Sequence, residues 1–453
     1  MIDATNLVGQ LLIGAIAIGA IALPAPALGQ QPAPVTLDDY TVREGDTCAS
    51  ISEARFGDRT RYDIIHQYNP GMGPPPHSLR AGTVLRLPRT ATPVGSGPDA
   101  HVTEVMRVVQ ARSPSETEWA RAARGLDLYA AWRVNTEERS AAEVTFRDTS
   151  VVQLRENTLV IIFGATAGAA RRRDTTDAQL DSGALRTRLG SLRLSVSTPS
   201  ARADVQGGSS LIGVDAAGTS RVCTFDGGEA SVATPTGAGR VRVRPGFGSK
   251  VVRGRRPEPP RPLPPSPTWD VRPELAVALS ANGATLRGSW VPVPNARSYR
   301  VEVSATADGS GLVAATEVPA TITRLELEMI PAGDYFVRLS TIDRDFFESR
   351  PSEAAAAHVV LARLEGPSGQ PIDATAADPF APAPPIVLEL GSRLVAPDTM
   401  RCAGGDRDLA QSFVFDRAGV QVVRCVDDAG HEAPTLRLTV TVPPRTERAR
   451  PRR

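Results

Sequence analysis

Runs in which apolar and polar residues alternate recur along most of this chain, and they limit its possible folds more than any other feature. Val144-Thr145-Phe146, Val152-Gln153-Leu154, Leu192-Arg193-Leu194-Ser195-Val196, Val241-Arg242-Val243 and Leu436-Arg437-Leu438-Thr439-Val440 each place successive side chains on opposite faces. That period of two belongs to half-buried strands. Proline and glycine, 39 of each, supply the turns between short strands and the stiff joints between domains. A chain of 453 residues is too long for one core, and proline-rich joints at Pro257–Pro267 and Asp378–Pro385 divide it. The expectation is a multidomain, mainly β protein. One helix is expected inside the β region, from Ser115 through Trp119, Ala123 and Leu126, with Glu118 placed for a capping box.

Basic and acidic residues nearly cancel, 51 against 50, so no overall field recruits nucleic acid. From Leu7 to Leu23 the chain carries no charge, and the small, helix-breaking stretch Pro24-Ala25-Pro26-Ala27-Leu28-Gly29 follows. Residues 1–29 therefore read as a signal peptide. Met1–Asn6 lacks the usual basic residue, which leaves an uncleaved membrane anchor as the alternative reading. Either way the remainder is expected outside the cytoplasm. Export suits the four cysteines. Cys402 and Cys425, each in or beside a strand-like run, are expected to form a disulfide, and Cys48 and Cys223 to be small buried residues. The sequence has no CxxC, HExxH, Gly-x-Ser-x-Gly, phosphate loop or dinucleotide fingerprint. No metal site, cofactor or catalytic residue is nominated, and an enzyme is not expected.

Between Leu37 and Arg89 the order changes to strand, helix, helix, strand. Tyr40-Thr41-Val42 alternates, Gly45-Asp46-Thr47 turns into a helix carrying Ile51, and Phe56-Gly57-Asp58 closes it. A second helix holds Ile65 and ends at Tyr68-Asn69-Pro70, and Gly82-Thr83-Val84-Leu85-Arg86-Leu87-Pro88 returns as a strand. This segment resembles the LysM domain over its whole length. The resemblance implies binding of peptidoglycan or a related N-acetylglucosamine polymer in a shallow groove between two loops. It places Gly45, Asp46, Thr47 and Cys48 in the first loop, and Asn69, Pro70 and Gly71 in the second. Met72-Gly73-Pro74-Pro75-Pro76-His77 lengthens the second loop beyond the family pattern.

Residues 101–253 resemble the FecR domain. The matching blocks are Ala142–Asp148 with Leu154, Asn157 and Thr158, then Ser197–Gly208, then Val222–Gly228. Gly207-Gly208-Ser209 and the insert from Ala169 to Ala178 depart from the family. Such domains relay signals or serve as β scaffolds in the envelope. Signalling members carry a cytoplasmic segment that handles a sigma factor, and six residues before the apolar run are too few for that role.

Residues 254–282 read as a proline-rich spacer. Residues 283–360 resemble a fibronectin type III domain on the strength of Trp290, Tyr299-Arg300-Val301-Glu302-Val303 and Gly333-Asp334-Tyr335-Phe336-Val337, with Tyr335 where such sandwiches put a tyrosine-corner residue. Residues 375–442 read as an immunoglobulin-like sandwich, and 443–453 as a basic disordered tail. The turn residues Asp406, Asp408, Asp427 and Asp428 fit loop chemistry better than a calcium site. The function expected from the whole is a non-catalytic, peptidoglycan-binding envelope scaffold that also reaches an envelope protein through its β domains. The alternative is a FecR-like sensory protein that relays a partner's signal.

Overall fold

The computed structural model describes residues 37–56, 62–69, 72, 79–88, 98–114, 116–129, 131–163, 175–372 and 386–442. The signal or anchor segment, most of the insert after Ala169, the joint at Asp378–Pro385, the basic tail, Pro70 and Gly71 lie outside the described residues.

The protein is multidomain and mainly β. In the first module Leu37–Thr41 and Val84–Pro88 pair antiparallel, Leu37 opposite Pro88. Helices Cys48–Phe56 and Tyr62–Tyr68 lie between them in the chain. Val42, Ile51, Ile65, Leu85 and Leu87 form the core. The strands contribute alternate residues to it, and each helix contributes one apolar side.

The next module is one network of 15 strands, from Ala100–Met106 to Arg261–Pro262. Its spine is the 23-residue strand Thr175–Ser197, which pairs with Arg202–Val214 on one edge; Val151–Leu154 pairs with its residues 185–188 on the other edge, and Leu159–Phe163 with its residues 177–182. At Gly207-Gly208 the strand Arg202–Val214 changes partners, from Glu229–Ala233 to Ser220–Asp226. The switch brings backbone against backbone. A Cβ on Gly208 would lie 1.9 Å from the Asp226 carbonyl oxygen, and one on Gly228 would lie 2.0 Å from that of Gly207. Gly207 and Gly208 also take φ of 61° and 59°, a region that favours glycine. The Gly207-Gly208-Ser209 departure is therefore a crossing point inside a strand.

The expected helix over Ser115–Leu126 does not form. Ala120–Arg121 and Asp127–Leu128 are two-residue strands that join Val109–Arg112 and Ala100–Met106. Gly125 turns the chain with φ 84°. Among the described residues 116–128, Ala122 and Leu128 are the buried ones, and Ala123 is exposed. Trp119 is held by the Arg112 guanidinium 4.9 Å from its ring centroid, so its helical spacing to Ala123 was coincidental.

Two β-sandwiches follow. The first combines a three-stranded sheet, Trp269–Val271, Ala284–Trp290 and Arg324–Ile330, with a five-stranded one that runs from Leu275–Ala278 to Leu312–Pro319. Trp290 meets Tyr299 edge-on at 5.3 Å inside it. The hydroxyl that ties back to upstream backbone belongs to Tyr299, which accepts from Val293 N–H at 2.7 Å. Tyr335 is half-buried and does not take that corner role.

The second sandwich packs Arg363–Glu365, Arg393–Val395 and Ser412–Val414 against a four-stranded sheet. Cys402 and Cys425 face each other there across the strands Met400–Gly404 and Gly419–Asp427, joined by a disulfide. Their Cα atoms are 4.0 Å apart, as in the closer kind of antiparallel pair. The bridge thus ties two neighbours in one sheet.

The stretch 254–282 is not a free spacer. Trp269–Val271 and Leu275–Ala278 are strands of the first sandwich, and Arg261–Pro262 pairs with Phe247–Gly248 of the preceding module. Leu275 and Val277 also pack in the core of the last sandwich. Alternate residues of that one strand serve two cores, since Ala276 and Ala278 belong to the other.

Candidate functional site

In the first module the first loop is built by its own side chains. Asp46 Oδ2 accepts from Arg43 N–H at 2.7 Å and from the Tyr40 hydroxyl at 2.8 Å. These two bonds hold its carboxyl below the usual range. Thr47 caps the helix: its Oγ1 accepts from Ser50 N–H at 3.0 Å, while Ser50 Oγ accepts from Thr47 N–H at 2.9 Å. Gly45 is exposed with φ 87°, and no heavy atom lies within 4 Å of where its Cβ would be. Cys48 is half-buried against the core, and burial pushes its thiol up.

At the second loop the Asn69 side-chain amide donates to Ile65 O at 2.7 Å and Arg86 O at 2.9 Å, and its Oδ1 accepts from Arg86 N–H at 2.8 Å. Asn69 therefore fastens the end of the second helix to the last strand. Val42 N–H donates to Thr83 O, and Gly82 N–H to Val42 O, both at 2.8 Å, which brings the chain after the first strand beside the approach to the last one. Asp46 Oδ2, Thr47 Oγ1 and the Asn69 side-chain amide are committed to the fold. What the first loop offers a ligand is exposed backbone around Gly45.

A second site lies where the 15-stranded module meets the first sandwich. Phe347, 1% exposed, enters a pocket of Leu211, Cys223 and Phe225, with Leu263 beside it. Burial pushes the Cys223 thiol up to about 12. Next to this apolar anchor, Arg155 grips Glu348 with both terminal nitrogens, at 2.5 and 2.8 Å. Burial opposes both charges, but their mutual attraction dominates. It holds the Glu348 carboxyl below its ordinary value and the Arg155 guanidinium above its own. Glu302, 3% exposed, is ringed by Arg155, Arg186, Arg300 and Arg338. Burial alone would raise its carboxyl, and the four guanidiniums hold it far below the usual range.

A hairpin tip of the sandwich adds further hydrogen bonds. Gly311 N–H donates to Glu143 at 3.0 Å, and Arg188 donates to Ser310 Oγ at 2.5 Å. Farther along, Arg221 donates to Asp345 O, and Lys250 and Arg261 pair with Asp345.

Residues 40–88 match the family model of the LysM domain, and residues 132–254 match that of the FecR protein. The chain carries a LysM domain followed by a FecR domain. No curated protein matches it. Among solved structures, a candidate anti-sigma factor from Parabacteroides distasonis is similar at 15% identity and a TM-score of 0.24, over 32% of this chain and 77% of that one. The fibronectin(III)-like modules of Clostridium thermocellum CbhA are similar at 12% identity and a TM-score of 0.18, over 39% and 93%. Domains FN1–FN3 of chicken CNTN1 are similar at 11% identity and a TM-score of 0.18, over 58% and 99%.

Of the residues nominated for glycan contact, the LysM domain brings Gly45, Asp46, Thr47 and Cys48 together in one loop and places Asn69 at the other. Tyr40, Arg43 and Ser50, which fix the first loop, are not among the nominated residues, although a hydroxyl and a backbone N–H within six residues of Asp46 are its donors. The contact made by the FecR domain was missed altogether. Its signal was a pair of adjacent aromatics, Phe346-Phe347, in a turn, where a solvent-facing loop has no use for them.

Proposed function

We propose that the protein is an exported, non-catalytic scaffold that holds peptidoglycan, or a related N-acetylglucosamine polymer, through its LysM domain. The observation that carries this reading is the first loop, where Asp46 and Thr47 are tied down by Arg43, Tyr40 and Ser50 while Gly45 stands open. A fixed loop with an uncovered glycine lets a flat N-acetyl group approach backbone N–H and C=O groups, with little ordering cost on binding. Gly45, Asp46, Thr47, Cys48, Asn69, Pro70 and Gly71 are the proposed contact positions. LysM and FecR domains belong to binding and regulatory families, consistent with a place in the envelope or periplasm. Among the described residues no helix is long and apolar enough to cross a membrane.

Titration of the full chain with a chitin-derived N-acetylglucosamine oligomer tests the reading. One LysM copy makes few contacts, so a dissociation constant in the micromolar range or weaker is expected. No heat and no shift of the LysM signals at millimolar oligomer would refute it.

The FecR match favours a second reading, the relay of an envelope partner's signal. Against a relay through the face that holds Arg155 and Arg186, the first sandwich already covers that face with Glu348 and Phe347. A partner using it would first have to displace the sandwich. For the scaffold the same contact is an asset, because it joins the FecR domain and the sandwich.

A further inference from the structure

An open cleft of about 1040 Å³ lies on the FecR domain where the strand Arg202–Val214 changes partners. A bulge in the spine strand opens it. Leu189 stands opposite Gly208 and Arg193 opposite Gln206, so residues 190–192 face Gly207 alone. The bulge is fastened on the edge away from Gly207. Leu192 N–H and the Ser191 hydroxyl donate to Asp148 Oδ2 at 2.8 and 3.2 Å, and Gly190 N–H donates to Ser150 Oγ at 3.0 Å. Gly190, Gly207 and Gly227 line the opening without side chains, so a ligand can come close to backbone there.

Around this floor stand groups of both hydrogen-bonding kinds. Gln206 is exposed and directly opposite Glu229, and its side-chain amide bonds no other described residue. Glu229 Oε2 accepts from Arg242 Nε at 2.6 Å and also from Arg242 Nη2. That pairing leaves Glu229 Oε1 and Arg242 Nη1 uncommitted. Arg244 is different, because it has no carboxylate partner among the described residues. Its guanidinium lies over the Phe247 ring, 4.2 Å from the centroid, which positions the charge without neutralising it. The carboxylates nearby are engaged elsewhere. Glu229 is held by Arg242, Asp226 pairs with Arg350 at 3.1 Å, and Arg202 and Arg240 share Asp204. Asp148 is taken up by the bulge.

This mixture selects the ligand. A chain that is anionic and nothing more would use Arg244 and leave the acceptors, Glu229 and the Gln206 carbonyl, without donors. A hydroxyl both donates and accepts, and a carboxylate takes a guanidinium. A sugar ring that carries a carboxylate offers both. Pro245 and Pro260 border the cleft and present apolar faces to ring C–H groups. We propose that this cleft binds an acidic polysaccharide, a chain of sugar rings bearing carboxylates, with one carboxylate on Arg244 and ring hydroxyls on Gln206, Glu229 and Arg242. The cleft is open rather than enclosed, which suits a segment of a longer chain. It is separate from the LysM loop, so either reading can fail without the other.

Titration calorimetry of the full chain with a galacturonic acid oligomer, at fixed ionic strength, decides it. Affinity should fall about tenfold in Arg244→Gln, which loses a charged hydrogen-bond donor, and by less in Gln206→Leu. Both positions are exposed, so melting midpoints should stay at the wild-type value, and titration with a chitin-derived oligomer should be unaltered. Methyl-esterifying the carboxylates should weaken binding as Arg244→Gln does, and an oligoglutamate of equal charge should bind far more weakly than the sugar. In the wild-type chain the backbone amide signals of Gly207 and Gly227 should shift on addition of the galacturonic acid oligomer. Three results would each overturn the proposal: no binding at millimolar oligomer, unchanged affinity in both variants, or equal affinity for oligoglutamate, which would mark the cleft as a place for an acidic peptide.

Discussion

A Cβ built on Gly248 would lie 2.5 Å from Cδ1 of Phe347 and 2.7 Å from its Cε1. The two residues belong to different domains. Gly248 sits in a strand of the FecR domain, and Phe347 in a turn of the first sandwich, so one domain leaves out a side chain where the other inserts a ring.

Removing the ring should therefore destabilise both domains together. Phe347→Ala is expected to cost about 3–5 kcal/mol, the usual range for deleting a buried aromatic side chain, and Gly248→Val should also loosen the contact by expelling the ring. Urea unfolding, with hydrogen exchange read at Phe247–Val251, checks this. Wild-type stability and protection in both variants would contradict it.

That relationship shows where the sequence was legible. Alternation marks strands locally, and Val144–Phe146, Val152–Leu154, Leu192–Val196 and Val241–Val243 all fall within strands. The LysM blocks were equally plain, because a short module with local contacts writes its turns and caps into adjacent residues. Contacts between distant segments leave no such mark. Arg300, Glu302 and Arg338 occupy the polar positions of alternating strands, a pattern that fits a solvated face, and another domain buries them. Pro257–Pro267 reads as a stiff spacer by composition, yet the same extended backbone can lie along a sheet edge, as Arg261–Pro262 does.

The buried carboxylates make the joint acid-sensitive. Glu302 and Glu348 are held below their ordinary value of 4.5, and Asp308 is brought from 3.8 down to about 2, burial opposing while hydrogen bonds from Thr306 and Ser310 and the charge of Arg188 prevail. A depressed folded value contributes stability above the unfolded value, and that contribution is lost as pH falls through the folded one. Glu143, which burial pushes up, works in the opposite sense as pH rises above 4.5. The melting midpoint should therefore fall steeply between about pH 4.5 and pH 2, and less steeply in Glu348→Gln. A flat profile over that window would count against the charged joint.

The disulfide should matter locally. Cys402→Ala is expected to lower the stability of the last sandwich by about 2–5 kcal/mol, the usual cost of losing a native bridge. Because Leu275 and Val277 pack into that core, calorimetry should show the first sandwich weakened with it, while glycan binding stays unchanged. Independent melting of the two sandwiches, with only one affected, would contradict the shared strand.

The LysM loop separates fold from contact. Thr47→Ala removes a helix cap and should cost about 1 kcal/mol of stability, whereas affinity for an N-acetylglucosamine oligomer should change little because the proposed contacts are backbone groups. A bulky replacement at Gly45, Gly45→Val, should do the reverse and weaken binding most, besides straining a backbone at φ 87°. Titration calorimetry on both variants distinguishes these outcomes. A larger loss of affinity in Thr47→Ala than in Gly45→Val would refute the assignment.

The central claim is that the LysM domain is what holds the protein to its glycan. Co-sedimentation with purified peptidoglycan tests it directly, comparing the full chain with one that lacks residues 37–89. The account predicts that the full chain pellets with the polymer and the shortened chain stays in the supernatant. Undiminished pelleting of the shortened chain would contradict it.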